Sequence, residues 1–194
     1  MEDLKENIEN MNLSPIKKIY VDIVEIADAI IFAIVFSILM LTLVFRTGYV
    51  SGESMENTFH DADRYIVSSL FYSPKQNDIV VFQPFHNIWG EDERLWVKRV
   101  IATEGQTVDI DPVSHTVYVE GKELTEPYIY GQTLLISQQF PITVPKGHVF
   151  VMGDNRNPGC SRDSRDASVG CIDTRRIVGH VIFRFYPFDK MGIV

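Results

Sequence analysis

The sequence predicts a mainly β fold, with one membrane-crossing helix near the N-terminus followed by a β-rich domain, barrel-like or sandwich in form. Three observations carry this expectation. The run AIIFAIVFSILMLTLVF from Ala29 to Phe45 holds no charge. Beyond Thr58, short apolar runs rich in Val, Ile and aromatic residues alternate with Gly- and Pro-containing turns. Few stretches there have helical spacing, which favours packed sheets over helices.

The boundaries follow in chain order. Residues 1–26 form a polar, acidic-leaning lead-in. Ser14 is placed as an N-cap and Pro15 at the first helical position, followed by Ile16, Ile19, Tyr20, Ile23 and Val24 at helical spacing. Residues 27–47 form the predicted transmembrane helix. Its 17-residue uncharged centre is at the short end of a bilayer crossing, and a helix apolar on every side needs a larger protein than this one to bury it. No A-x-A-like site follows Phe45, so the span is expected to stay attached. Lys17 and Lys18 flank one end and Arg46 and Arg64 the other, so charge alone does not set the orientation. Residues 48–194 form the β domain. Strands are expected at Tyr65–Val67, Asp78–Phe82, Leu95–Ile101, His148–Met152 and Gly179–Phe185, with a hairpin made by Val108–Asp111 and Thr116–Val119. A loop from Gln83 to Glu93 carries Phe85, Ile88 and Trp89, either packed on the domain or touching the membrane interface.

Composition excludes some functions. A net charge of −8 with no basic face argues against nucleic acid as a partner. No Cys-x-x-Cys spacing or Cys/His cluster suggests a metal. Cys160 and Cys171 are either free or joined in one disulfide.

Three stretches carry chemistry. In Tyr49–Phe59, Ser54 sits among small and polar residues just beyond the span. Lys98 lies in the apolar run Leu95–Ile101, where strand alternation puts Trp96, Lys98 and Val100 on one face and Val97, Arg99 and Ile101 on the other. One of the two basic residues should therefore point inward. A buried lysine loses its proton more readily and can serve a nearby serine as general base. The third stretch, Met152 to Arg165, is dense in Asp, Asn, Ser and Arg after an apolar run, which suggests an ion-pair network. His60, with Asp61 and Asp63, is a weaker candidate base, because no G-x-S-x-G elbow surrounds Ser54.

Together these stretches resemble the bacterial type I signal peptidases. The S-G-E-S-M-E-N-T-F segment resembles that family's nucleophile box, D-I-V-V-F its next box, and W-V-K-R-V-I its general-base box. G-D-N-R followed by S-R-D-S-R resembles the last. The resemblance implies a β-rich catalytic domain of antiparallel sheets (a signal-peptidase/LexA-like fold) on the extracytoplasmic side, with residues 1–26 cytoplasmic. It implies a Ser-Lys dyad of Ser54 and Lys98, with the Ser54 backbone N–H serving the oxyanion. Ser161 would orient the base, Asp154 with Arg99 and Asp163 with Arg165 would support it, and Met55 and Val97 would wall the substrate pocket. The implied partners are the signal peptide region of secretory preproteins and the lipid bilayer. No cofactor or metal is implied.

The chain departs from the family pattern at three places. Asn57 stands where proline is usual, which predicts a less rigid turn. The spacer before Ser161 is lengthened by Asn157-Pro158-Gly159-Cys160, and Gly52 replaces a serine found in some members. Two other functions compete: a catalytically inactive membrane-anchored homologue acting as an assembly chaperone, and a self-cleaving Ser-Lys repressor-type peptidase. The first should lack Ser54 or Lys98, and the second should carry a DNA-binding region instead of a span.

Overall fold

The computed structural model describes residues 15–84 and 95–194, with the backbone alone for residues 15–17, 40, 41, 43 and 44. Ser14, His86, Phe85, Ile88 and Trp89 lie outside the described residues. Two compact units make up the chain, Met1–Leu43 and Val44–Val194.

The described part of the first unit is α1, Pro15–Val44, whose last residue is counted with the second unit. Ile31, Phe32, Val35 and Phe36 are exposed along it, as are Ile30 and Ile34. Among the described residues no helix is long and apolar enough to cross a membrane. The uncharged run runs into residues 40, 41, 43 and 44, whose side chains are outside that description.

In the second unit, one sheet holds β1 (Phe45–Tyr49), β2 (Arg64–Ser68), β3 (Ile79–Phe82), β4 (Trp96–Thr103), β9 (His148–Met152), β10 (Ile172–Asp173), β11 (Ile177–Tyr186) and β12 (Gly192–Ile193). Its order is β1-β2-β11-β3-β4-β9-β10, with β12 beside β11. The other sheet holds β5 (Thr107–Ile110), β6 (Val117–Val119), β7 (Lys122–Glu123) and β8 (Ile142–Thr143), in the order β7-β6-β5-β8. Neighbouring strands in both sheets run antiparallel.

The strands expected from sequence are here, and the hairpin pairs Val108 with Val119. The shortest strands (β7, β8, β10 and β12) were not anticipated, because two residues give no alternation to read. Nor was β1, whose first residues were assigned to the helix. Phe-Arg-Thr-Gly-Tyr is β-favouring despite following an apolar run, and Phe45 to Tyr49 pair in full with Ser68 to Arg64. The helix therefore ends at Val44 and the sheet starts without a linker.

The centre of the large sheet is covered on both faces, as unbroken apolar strands require. Ile79 and Val81 of β3 join Met55, Phe59, Tyr65, Val67 and Val97 in one buried cluster. Val80 and Phe82 join Val100, Val149 and Val151 in another. A third cluster packs Ile101, Phe150 and Met152 of the large sheet against Val108, Ile110, Val117 and Val119 of the small one. Because β4 is enclosed in this way, alternation no longer decides which basic residue is inside. Lys98 and Arg99 are both buried, at 5% and 8% exposure, where one of them was expected to face out.

Gly179 of β11 lies against β2 so closely that a Cβ there would sit 2.4 Å from the Ser68 carbonyl oxygen. Backbone cannot swing aside as a side chain can. Gly179→Ala is expected to destabilise the domain by about 1–3 kcal/mol, the usual cost of overpacking, measured as a lowered midpoint in denaturant unfolding of the full-length protein.

Candidate active site

The segment after β1 makes a compact turn that ends in the core. Val50 N–H donates to the Asp63 carbonyl and Ala62 N–H to the Val50 carbonyl, closing the loop at its base. Gly52 has φ +93°, a left-handed conformation that favours glycine, and its N–H donates to Asp61 Oδ1 at 2.7 Å. Met55 and Phe59 are fully buried and pin the turn from beneath. Ser54, between them and solvent, is half-buried.

β4 brings Lys98 to this turn. Its Nζ lies 2.6 Å from Ser54 Oγ, across 44 residues of sequence. Burial pushes the Lys98 pKa down from 10.5 to about 8, while Asp163 and Asp154 pull it part of the way back and Arg165 pushes it down again. At neutral pH about a tenth of the amine is therefore unprotonated and able to accept a proton.

Both of those acids are buried and matched. Arg99 holds Asp154 bidentately, Nε to Oδ1 at 2.9 Å and Nη2 to Oδ2 at 2.6 Å. Thr58 donates its hydroxyl to the same Oδ2 at 2.5 Å, and the Arg99 guanidinium stacks 3.8 Å above the Tyr128 ring. Arg165 holds Asp163 through Nε and Nη2, each at 2.9 Å. Burial raises the Asp163 pKa, but bonds from Arg165, Gly153 N–H and Ser161 outweigh it, and the net direction is down.

Ser161 gives its proton to Asp163 Oδ2 at 2.7 Å. Among the described residues no hydrogen bond joins it directly to Lys98, and its oxygen keeps lone pairs for an approaching ammonium. Gly153 separates Ser161 from the Ser54 turn: a Cβ on it would fall 2.2 Å from Ser161 Oγ and 2.4 Å from the Ser54 carbonyl oxygen. Met55 and Val97 lie together in the buried cluster behind the turn, so any wall they give a substrate is presented from the core side.

Residues that the sequence did not single out complete the arrangement. Asn155 N–H donates to the Ser54 carbonyl, and its side-chain amide donates to that of Glu53. Thr58 and Asn155 both lie inside the quoted motifs, and that membership was the available signal. Tyr128 lies in no motif and had none. His60 is exposed, and its contact is a backbone bond to Asp63. Asp63 in turn is paired with Arg184 rather than with a histidine. Cys160 and Cys171 are free thiols, so the loop before Ser161 is held by hydrogen bonds and not by a disulfide. Among the described residues no group of His, Cys, Asp and Glu is arranged to hold a metal ion.

A serine beside a dry lysine, braced by two neutralised acids on a β scaffold, defines a class of hydrolytic site. The family model described as "Signal peptidase, peptidase S26" matches residues 23–186. The probable signal peptidase I-1 of Synechocystis is 35% identical over 190 residues, covering 94% of this chain and 92% of its own. Signal peptidase I of Bacillus licheniformis is 34% identical over 179 residues, covering 86% and 90%. A solved signal peptidase I from Enterococcus faecalis, 28% identical, covers 56% of this chain and 97% of its own, with a TM-score of 0.43. The chain belongs to the signal peptidase family and is a serine peptidase.

Keeping Lys98 dry costs stability. A fall from 10.5 to about 8 corresponds to on the order of 3 kcal/mol at about 1.4 kcal/mol per unit. Because the folded value is the lower one, unfolding takes up protons between about pH 8 and 10.5, and stability rises with pH across that window. Below it the folded state carries the full cost. Lys98→Met is therefore expected to melt higher than the parent at pH 7, with the gap closing as pH approaches 10.5. Thermal melts of both proteins across this range check it, and a variant that melts lower at pH 7 contradicts it.

Proposed function

We propose that the chain is a membrane-anchored endopeptidase that removes N-terminal signal peptides from exported preproteins through a Ser54–Lys98 dyad and an acyl-enzyme. The observation that carries this reading is the 2.6 Å approach of a buried lysine amine to a half-buried serine hydroxyl. Unprotonated Lys98 takes the Ser54 proton as Oγ attacks the scissile carbonyl. The Ser54 N–H meets the oxyanion, where preorganised donors are worth most. Lys98 then gives its proton to the leaving amine, and the signal peptide's new carboxyl end stays as an ester on Ser54. A water, deprotonated by the same lysine, hydrolyses the ester. Ser161, with its own proton committed to Asp163, offers its oxygen as the rest position for the lysine between these steps.

The relatives named signal peptidase support the substrate class. An extended substrate would add as a strand, with small side chains at the first and third positions before the cut. Residues 27–44 would cross the bilayer, supported by the charge-free run from Ala29 and by apolar side chains left exposed around α1. Residues 1–26 would then be cytoplasmic, with the catalytic unit on the extracytoplasmic side, where exported precursors present their cleavage sites. An inactive assembly chaperone has no use for a desolvated lysine at hydrogen-bond distance from a serine, so the catalytic reading is preferred.

Cleavage of a precursor should rise with pH through a midpoint near 8, where the folded lysine loses its proton, and level off above it. Ser54→Ala and Lys98→Ala should each abolish cleavage while leaving the fold intact. A flat profile from mildly acidic to alkaline pH, or a Lys98→Ala variant retaining most activity, contradicts the dyad.

A further inference from the structure

Removal of the Ser54 proton has its agent in Lys98, but an oxyanion needs the Ser54 N–H to point one way. Among the described residues that N–H donates to nothing, so no bond of its own aims it. The Glu53–Ser54 peptide is trans, and in a planar trans peptide the N–H is antiparallel to the preceding C=O. Whatever holds the Glu53 carbonyl therefore aims the Ser54 N–H.

That carbonyl accepts from Asn155 Nδ2 at 3.1 Å and, within the turn itself, from Glu56 N–H at 3.1 Å, so among the described residues Asn155 is the one donor that reaches it from outside the turn. The Ser54 carbonyl accepts from Asn155 N–H, also at 3.1 Å. One residue thus grips the peptide oxygens on both sides of the nucleophile. Asn155 is itself held: it is 2% exposed, and its Oδ1 accepts from Asn157 N–H at 3.2 Å and Asn157 Nδ2 at 3.0 Å, which turns its own amide nitrogen towards Glu53. The Tyr130–Asn155 bridge fastens its backbone, with Tyr130 N–H on the Asp154 carbonyl at 2.8 Å and Arg156 N–H on the Tyr130 carbonyl at 2.7 Å. Gly153, two residues earlier, leaves the space this grip needs, since a Cβ there would meet the Ser54 carbonyl.

We propose that Asn155 is a positioning residue for the oxyanion hole, fixing the Glu53–Ser54 peptide plane so that the Ser54 N–H faces the developing charge. The inference rests on the reading of Ser54 as nucleophile. A donor on the Glu53 carbonyl also polarises the peptide and makes its N–H a stronger donor in turn. Alanine or serine at 155 is too short to reach, and an ionised aspartate has no proton to give.

The test compares the full-length parent with its Ser54→Ala, Asn155→Ala and Asn157→Ala variants in steady-state cleavage of a precursor peptide, together with binding of a peptide boronate that forms a tetrahedral adduct on Ser54. Asn155→Ala should lower kcat by about 10- to 100-fold, approaching the loss of a whole oxyanion donor, with KM within about twofold. The midpoint of its pH profile should stay at the parent's value, because no hydrogen bond joins Asn155 to Lys98. Boronate affinity should fall by the same factor as kcat/KM. Asn157→Ala, which removes one of the two bonds on Asn155 Oδ1 and leaves the backbone one, should do the same more weakly, by about three- to tenfold. Parent-like kcat, a loss confined to KM, or a shifted midpoint overturns the proposal. If Asn155→Ala does not fold, Asn157→Ala decides by the same criteria. A parent that does not cleave, or a Ser54→Ala variant that does, instead overturns the reading of Ser54 and takes this inference with it.

Discussion

A lysine amine kept out of water beside a serine hydroxyl is the constraint to which the rest of the domain answers. An ammonium is stable in solvent and inert as a base, so β4 must be enclosed on both faces for Lys98 to lose its proton near neutral pH. The sheet order supplies that enclosure. β4 runs between β3 and β9, with apolar clusters on either side and the small sheet packed beyond its far end. The fold is thus a device for holding one side chain dry while leaving its partner within reach of solvent.

The acids around the lysine would defeat this if they stood alone. Asp163 and Asp154 both raise the Lys98 pKa, and an unpaired buried carboxylate close by would hold the proton on the amine. Each has its own bidentate arginine, Arg165 and Arg99 respectively. The pairs are costly to desolvate and are poor arguments for stability in themselves. Their effect here is local: carboxylates already satisfied by guanidinium have less field left for Lys98. What remains of that field is useful, since a lysine whose pKa fell much further would be too weak a base.

The sequence disclosed the parts of this arrangement that leave a mark along the chain. The apolar strands, the hairpin at Val108–Val119, and the serine, lysine and Asp/Arg-rich motifs could all be read from spacing or motif. What could not be read depends on enclosure or on distant partners. Arg99 was expected to share one inward position with Lys98, yet both are inside, because alternation speaks only for strands with one wet face. β1 was hidden because Phe45 continues an apolar run, and only its pairing with β2 reveals a strand. Thr58 and Tyr128 gain meaning from Arg99, 41 residues from the one and on a separate stretch of chain from the other.

Three separate stretches meet at Ser54: the turn after β1, the middle of β4, and the loop after β9. In the proposed mechanism the first supplies the nucleophile and the second the base; the third holds the turn through Asn155 and places Asp163 and its partner Ser161 where the Asp163 charge acts on the lysine. Gly153 is where the last two grips diverge, with the Ser54 carbonyl and the Ser161 hydroxyl both too close for any side chain. The Gly-Asp-Asn-Arg run therefore has a distinct physical task at each residue. Gly153 gives clearance, Asp154 takes the Arg99 charge, Asn155 orients the nucleophile's peptide, and Arg156 returns to the Gly153 carbonyl at 2.8 Å while pairing with Glu126. The longer spacer to Ser161 falls outside this run, in Asn157–Cys160, where the chain turns back through the Cys160 N–H to Asn157 carbonyl bond, so the four contacts keep their register while the chain between them and Ser161 lengthens.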